Sequence, residues 1–434
     1  MKRTVHFLLI TLAAWLLGGE ARAQLKIDAE LRPRAELNNG FKYLRDTNDL
    51  TQVYVTQRTR LGFSYEKDGI RLRVKLQDVR TWGGEDIATS SGVFGSQRGV
   101  DLYEGWLELP LGRHLSLRAG RQELKYDDER LLAIRNWNQY GITYDALRLR
   151  YARDRWQVDA TASWNASDAK ILGVTDGTDE YYAKRMRMLD LVYVKRELGE
   201  KSWVSFMSLL TGFQHPDYKR VLNVTSTSGL HLDYRRGAMD GMGNAYVQLG
   251  SNMYGKKTQA WMLTVSGGYR QGAIRWGAGA DVLSGHDPER EEVDYQQTDH
   301  TFDIFYGIRF RYLGWMNQFS NVDASTGGRG LLDLYPNLSW YPGKEHELQF
   351  FLHFFRNQYE GPSPVGDGTM LEAGLGREYD LMYTWKVKED LKFQAGFSWY
   401  DPSDTFLVLR GQDAGSHRNT WWTWAMLCYT PRLM

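Results

Sequence analysis

Basic side chains recur at every second position in several segments of the N-terminal third of the chain. The set comprises Arg32, Arg34, Arg58, Arg60, Arg71, Arg73, Lys75, Arg118, Arg148 and Arg150. An arginine guanidinium keeps its charge at any ordinary pH and meets a carboxylate with two parallel hydrogen bonds. If these side chains share one face of the fold, their spacing indicates a surface that binds anions.

Acidic residues alternate in the same segments and offer a second interpretation. The available partners are Asp28, Glu30, Glu36, Glu104 and Glu108. Like charges packed this densely repel one another unless opposite charges lie between them. The arginines could therefore form ion-pair ladders that only hold the shape of a wet interior, although such a lattice can still leave net positive positions. We predict that Asp28, Glu30 and Glu104 line the same surface as the basic residues.

The residue patterns of common enzymes and metal sites are missing from the sequence. It contains neither Gly-x-Ser-x-Gly nor His-Glu-x-x-His, and neither His231 nor His353 has an evident serine partner. Cys428 is the single cysteine, which excludes an internal disulfide and cysteine-rich metal sites. The acidic groups at 176–180 and 289–294 do not match a calcium-binding EF-hand loop. We expect no catalytic residues, no metal and no other cofactor.

The elements that position the charged side chains follow from a period of two. Apolar and polar residues alternate in 25–34, 53–65, 70–77, 147–151 and 391–399, among other runs. Successive side chains of a β-strand point to opposite faces, so each run has one apolar face and one charged face. The chain combines a polar mean hydropathy of −0.52 with 14% aromatic residues, which favours two-faced strands over soluble helices.

Short and long connections alternate between these runs. The short ones are 66–69, 110–112, 152–154, 199–201, 271–272, 342–343 and 388–390. The long ones are 38–50, 83–99, 126–141, 167–187, 213–226, 286–330, 358–370 and 401–418. Short periplasmic turns and long extracellular loops are typical of an up-and-down transmembrane barrel, and we predict an all-β, antiparallel barrel of about 18 strands. Segments 188–212 and 225–258 are less regular, and 303–313 is either loop or strand.

The start of the chain has the features of a cleaved signal peptide. A basic segment at Lys2 precedes an apolar run, and a small-x-small site follows at 21–23. The apolar run is shorter than the roughly 20 residues that a transmembrane helix needs. We expect residues 1–23 to be removed and residues 24–434 to form one barrel domain in the outer membrane of a Gram-negative cell.

Aromatic residues at the ends of the runs help to decide which face points outward. Trp156 and Trp164 bracket one run, and Trp340 and Trp399 close two others, as in the aromatic girdles of membrane barrels. A soluble β-sandwich is the alternative and would place the charged face outside. The signal peptide, the girdles and the alternating loops favour a barrel whose charged face lines an enclosed lumen. The formal net charge of +1 gives no chain-wide basic excess that would indicate nucleic-acid binding.

Several short motifs are shared with a known family. They are Gly-Arg-Gln at 120–122, Asp-Glu-Arg-Leu at 128–131, Trp137, Tyr-Asp-Ala-Leu-Arg at 144–148 and Ser-Gly-His-Asp at 284–287. In these motifs and in its strand pattern the chain resembles the alginate export porin family. The resemblance implies a monomeric 18-stranded barrel whose constricted, arginine-rich pore passes a polyuronate outward. It also implies that Arg121, Arg130 and Arg148 are lumen-side or rim arginines near the constriction.

These observations together predict a passive outer-membrane channel whose arginine-lined lumen passes an anionic polysaccharide or a related anionic solute, with long loops that narrow its mouth. A diffusion porin for small acids or oligosaccharides is the first alternative. The others are a plugged structural or adhesin barrel and an outer-membrane hydrolase. The expected partners are outer-membrane lipid, the anionic cargo and periplasmic export proteins, and we expect no nucleic acid and a monomer.

Overall fold

Alternating side chains build one closed sheet. The computed structural model describes residues 24–45, 49–83, 99–165, 186–215, 217–218, 221–416 and 420–434. Eighteen antiparallel strands pair with their neighbours along the chain, and the last strand pairs with the first, so the barrel has no free edge. The predicted all-β antiparallel barrel of about 18 strands is confirmed. The predicted signal peptide lies outside the described residues.

The strands follow the predicted runs closely. They are β1 (Gln24–Asn39), β2 (Gln52–Lys67), β3 (Ile70–Thr81), β4 (Asp101–Pro110), β5 (Leu115–Gln122), β6 (Tyr144–Arg153), β7 (Trp156–Trp164), β8 (Met186–Glu197), β9 (Trp203–Gln214), β10 (Leu222–Arg236), β11 (Met239–Ser251), β12 (Lys257–Gln271), β13 (Ile274–Leu283), β14 (Leu331–Trp340), β15 (His346–Arg356), β16 (Gly374–Lys386), β17 (Leu391–Pro402) and β18 (Thr420–Tyr429). The loops carry the short helices α1 (Val293–Gln296), α2 (Val322–Thr326) and α3 (Asp404–Leu409) and the two-residue strand segments Thr298–Asp299, Gly361–Pro362 and Met370–Leu371. Among the described residues, no helix has the length and apolar character needed to span a membrane.

The two faces of the sheet have opposite character. On β6, Leu147 is 54% exposed on the outside of the barrel, whereas Arg148 beside it is only 6% exposed. Apolar side chains that a soluble protein would bury thus face outward, where hydrocarbon covers them, and charged side chains face the lumen.

Tight turns join the strands at the periplasmic end. Asp68 and Gly69 connect β2 to β3 with φ values of 53° and 79°, as in the two-residue type I′ turns that fit the twist of a hairpin. Two connections were not predicted: the turn at 237–238 and the short loop at 252–256. Segment 303–313, predicted as loop or strand, belongs to a loop.

Two long loops fold into the barrel and contribute a large part of its apolar core. They are the β5–β6 loop (123–143) and the β13–β14 loop (284–330). Leu132 of the first loop and Met316 and Phe319 of the second are fully buried. The two loops also bind each other, because the amide of Ile308 donates to the carbonyl of Glu129 at 2.8 Å. The lumen is therefore partly filled by apolar side chains.

Candidate functional site in the lumen

Four arginines on the lumen face of β1 and β2 hold the β5–β6 loop by its backbone. We call them the arginine clasp: Arg32, Arg34, Arg58 and Arg60. The guanidinium of Arg32 donates to the carbonyl oxygens of Asn136 at 2.6 Å and Asn138 at 2.9 Å. Arg34 donates to the carbonyl of Trp137 at 3.1 Å. The basic side chains thus point at a row of oxygen acceptors, which is the arrangement that an anion would also meet.

The other half of the clasp shares one asparagine side chain. Asn136 Oδ1 accepts from Arg58 at 2.9 Å and from Arg60 at 3.2 Å. Arg58 also forms a 2.5 Å ion pair with Glu30, and the guanidinium of Arg60 lies over the ring of Tyr103 at 3.6 Å from its centroid. A carboxylate, carbonyl dipoles and an aromatic face therefore offset the mutual repulsion of the four positive charges.

Carboxylates hold the remaining predicted basic residues of the lumen wall except Arg148, which is buried and whose Nε atom has no hydrogen-bond partner among the described residues. Arg73 binds Asp28 through two hydrogen bonds of 2.5 and 2.9 Å, and Lys75 pairs with Glu104 at 3.0 Å. The further pairs are Arg71–Glu108, Arg118–Glu108 and Arg150–Asp159. The geometry thus contains both features weighed from the sequence, an ion-pair lattice and a separate group of arginines that bind a loop.

A second wall of the lumen is acidic. We call it the acidic wall: Asp281 on β13, Asp333 on β14, and Glu378 and Asp380 on β16, all fully buried. Arg130 of the β5–β6 loop forms ion pairs with Asp281 and, at 3.0 Å, with Asp128. Burial alone would lower the pKa of Arg130, but the carboxylate of Asp281 outweighs it and raises that pKa above its ordinary value.

The acidic wall also accepts hydrogen bonds from the β13–β14 loop. The amide of Met316 donates to Glu378 at 2.6 Å, and the amide of Trp315 donates to Asp380 at 3.4 Å. Gly314 permits this approach, because it has φ of 79° and a Cβ there would lie 2.4 Å from the Glu378 carboxylate. One side of the lumen therefore binds loop carbonyls through arginines, and the other binds loop amides through carboxylates.

A cavity of about 1030 Å³ remains at the end of the lumen where the short turns lie. We call it the periplasmic vestibule, since short turns mark the periplasmic end of such barrels. Ile134, Trp137 and Phe310 from the two lumen loops form its roof. Cys428 also lines it, so this residue faces the lumen.

Arg121 is the one predicted pore-lining residue that the structure places elsewhere. Along β5 it has the same parity as Leu117, so it points to the outside of the barrel, near the extracellular rim. There it pairs with Asp145 at 2.8 Å, and both side chains are substantially exposed. Arg148, by contrast, faces the lumen and is buried. The expected rim position of Arg121 is compatible with the structure, but its pore-lining position is not.

Sequence reasoning missed two parts of this site. The acidic wall could have been found, because Asp281 and Asp333 have inward parity in regular strand runs. The loop segment 136–140 could not, because it is held through backbone carbonyls that carry no side-chain signature.

Comparisons with known proteins agree with this architecture. The family model described as alginate export matches residues 23–420. The crystal structure of the outer membrane protein OprD from Pseudomonas aeruginosa is 11% identical, with a TM-score of 0.60 and coverage of 96% of both chains. That of Acinetobacter baumannii OccAB4 is 10% identical, with a TM-score of 0.61 and coverage of 95% of this chain and 99% of the other. A search of curated proteins finds no match.

Proposed function

Because the chain belongs to the alginate export family, and is thus a passive channel of the Gram-negative outer membrane, we propose that it passes an anionic polysaccharide of the polyuronate type. The observation that carries this proposal is the arginine clasp, which concentrates four guanidinium groups around one row of oxygen acceptors. A polyuronate offers a carboxylate on every sugar residue and can accept the same hydrogen bonds. A carboxylate can also accept two parallel hydrogen bonds from one guanidinium group, which a single carbonyl oxygen does not offer.

In this proposal the cargo takes the place of the 136–140 segment. The clasp arginines are already removed from bulk water by the loop, so the exchange requires little further desolvation of the arginines, and pairing with them offsets the desolvation of the incoming carboxylate. Each guanidinium stays charged throughout, because arginine does not lose its proton at physiological pH. The loop therefore keeps the clasp arginines in position when no cargo is bound. Transport of the cargo is passive and follows its concentration gradient.

The proposal also includes the other expectations drawn from the sequence, which concern the pore lining, the domain and its partners. Arg71, Arg73, Lys75, Arg118, Arg130 and Arg150, with Asp28, Glu30 and Glu104, would line the path as supporting ion pairs, and Arg148 would line it as a further cation. We propose that residues 24–434 act as one monomeric domain after removal of 1–23, that periplasmic export proteins deliver the cargo, and that the barrel has no catalytic role. Its family and fold are those of channels, and its lipid-facing surface belongs in the outer membrane.

Ion selectivity and block in planar bilayers test the proposal. We expect the reversal potential in a salt gradient to show anion preference. An oligouronate should reduce the current, whereas a neutral oligosaccharide of equal length should not. A channel without anion preference that the oligouronate does not block would contradict the proposal.

One observation favours a second candidate, a diffusion porin for small acids or short oligosaccharides. The two lumen loops pack apolar side chains inside the barrel and so narrow it. Liposome-swelling rates would separate the candidates, because a porin of this kind would pass monomeric sugar acids quickly and exclude oligouronates. If folded, heat-modifiable protein gave no conductance at all, a plugged structural barrel would replace both.

A further inference from the structure

We propose that the periplasmic vestibule is a capture site for sugar-acid residues, which a polyuronate occupies before it reaches the arginine clasp. This inference rests on the proposed function and adds to it a second binding site and an order of contacts. The vestibule lies directly against the clasp, because Arg32 and Trp137 border both. Its volume of about 1030 Å³ is sufficient for more than one small polar ligand.

The roof of the vestibule provides a rigid aromatic surface. The ring of Trp137 meets Trp424 edge to face at a centroid distance of 4.4 Å and Trp315 at 5.1 Å. The guanidinium of Arg34 lies 4.9 Å from the same ring. Contacts of this kind fix the orientation of an indole. The C–H face of a pyranose ring packs well on such a surface, while its hydroxyl and carboxyl groups remain in water.

Cations around the vestibule supply the second part of the site. Arg311, Lys344, Lys386, Lys388 and Lys392 line the cavity, and within the described ranges none of the five lies in an ion pair with a carboxylate. Acidic residues line it as well: Glu30, Glu129, Glu345, Glu389 and Asp390. Two of them are already occupied, since Glu30 binds Arg58 and Glu129 binds Lys125 at 2.9 Å. Glu345, Glu389 and Asp390 remain, so the five cations exceed the three carboxylates without a described ion pair, and this net positive charge favours an anionic ligand over a neutral one.

The position of the vestibule sets the order of events. A polymer that arrives from the periplasm meets the turn lysines first, then Trp137, and then the clasp arginines. A carboxylated sugar can use all three in turn, through charge attraction, ring packing and bidentate hydrogen bonds. A small aliphatic acid would use only the first and third, and a neutral sugar only the second.

Cys428 allows a direct test, because it lines the vestibule and is the single cysteine of the chain. The full mature protein in liposomes would be treated with an anionic methanethiosulfonate reagent, and the rate of thiol modification would be measured. We expect a short oligouronate to slow the modification several-fold. A neutral oligosaccharide of equal length should have little effect. Acetate at the same concentration of carboxylate groups should also have little effect. Cys428→Ser identifies any modification at other sites.

Variants separate the charged and aromatic parts of the site. Lys388→Gln with Lys392→Gln, and separately Trp137→Leu, should each weaken the protection by oligouronate. Lys257→Gln is the matched control, because Lys257 is an exposed lysine at the extracellular end of β12. Retained heat-modifiability would show that each variant is folded.

Two results would overturn the inference. One is equal protection by the neutral oligosaccharide, and the other is no protection at oligouronate concentrations that block the current. In the second case the proposed function would survive, since block would still occur at the clasp. Loss of both anion selectivity and block would instead contradict the proposed function itself.

Discussion

At the scale of single residues, the clasp depends on arginines that are charged and yet almost fully buried. Arg58 has no exposed surface, and its guanidinium is divided between Glu30 and the backbone of the β5–β6 loop. Removing one partner of such a buried pair typically costs about 3–5 kcal/mol, because the other charge is left unpaired. Substitutions here should therefore act on the loop as well as on passing ions.

We predict that Arg58→Gln, Arg60→Gln and Arg73→Gln together reduce the anion preference of the channel. The triple variant removes positive charge from the lumen and leaves only Arg32 and Arg34 of the clasp to hold segment 136–140, so its reversal potential should move toward that of an unselective pore. The control changes the same charge outside the lumen: Arg196→Gln, Arg356→Gln and Arg377→Gln, at exposed positions on the outer face of the barrel. Unchanged selectivity in the lumen variant would mean that the arginines have only a structural role.

Gly314 gives a second prediction at this scale. Gly314→Ala would place a Cβ against the Glu378 carboxylate, whereas Gly366→Ala, at a similar φ of 76°, meets open space. Both changes carry the cost of a left-handed residue, about 1–2 kcal/mol. Only Gly314→Ala should lower the free energy of unfolding by a further amount of about 1–3 kcal/mol, because its methyl group overpacks against Glu378.

The free energy of urea-induced unfolding, with single-channel conductance measured in parallel, would check this difference. We expect Gly314→Ala to displace the β13–β14 loop and change the conductance, while Gly366→Ala leaves the conductance unchanged. Equal losses of stability in the two variants would show that the contact with Glu378 does not constrain the loop.

At the scale of elements, the strands were predictable and the paths of the loops were not. Strict alternation identified most strands, but Ser226, Ser228, Gly241 and Gly243 interrupt the apolar face of β10 and β11, so the turn at 237–238 was missed. The loops enter the lumen through backbone contacts, which no side-chain pattern records. Arg121 shows the converse, because the alternation along β5 contradicts the lumen position that the family resemblance suggested.

The β13–β14 loop contains a histidine whose titration should change local stability. Burial lowers the pKa of His300 below its ordinary value of 6.5, and the neighbouring His286 adds to the effect, although backbone hydrogen bonds and Asp299 oppose it. The folded loop therefore favours neutral imidazole. This contribution to stability is complete above pH 6.5 and is lost as the pH falls toward the lowered pKa.

We predict faster amide hydrogen exchange around α1 and Thr298–Asp299 as the pH falls below 6.5, after correction for the intrinsic pH dependence of exchange. His300→Phe should keep the ring packing on Tyr295, which lies 4.0 Å away, and should abolish the change. If the variant retained the pH dependence, His286 or a carboxylate of the loop would be its source.

At the scale of the whole molecule, the lumen of the barrel has two walls of opposite charge. The clasp on β1 and β2 holds one loop by its carbonyls, and Glu378 and Asp380 of the acidic wall hold the other by its amides. Arg130 connects the two systems, since it belongs to the β5–β6 loop but forms an ion pair with Asp281 of the acidic wall. The charges that we propose to recognise cargo are thus the same charges that keep the lumen narrow.

The contact between the two lumen loops has a consequence for how the channel opens. Leu132 and Tyr306 form an isolated parallel bridge, and Arg135 donates to the carbonyl of Phe305 at 2.8 Å. Neither loop can retract without breaking bonds that the other loop shares, so their withdrawal should be concerted. Recordings of one molecule should then switch between two current levels with no stable intermediate. A persistent half-amplitude substate would indicate that each loop retracts independently.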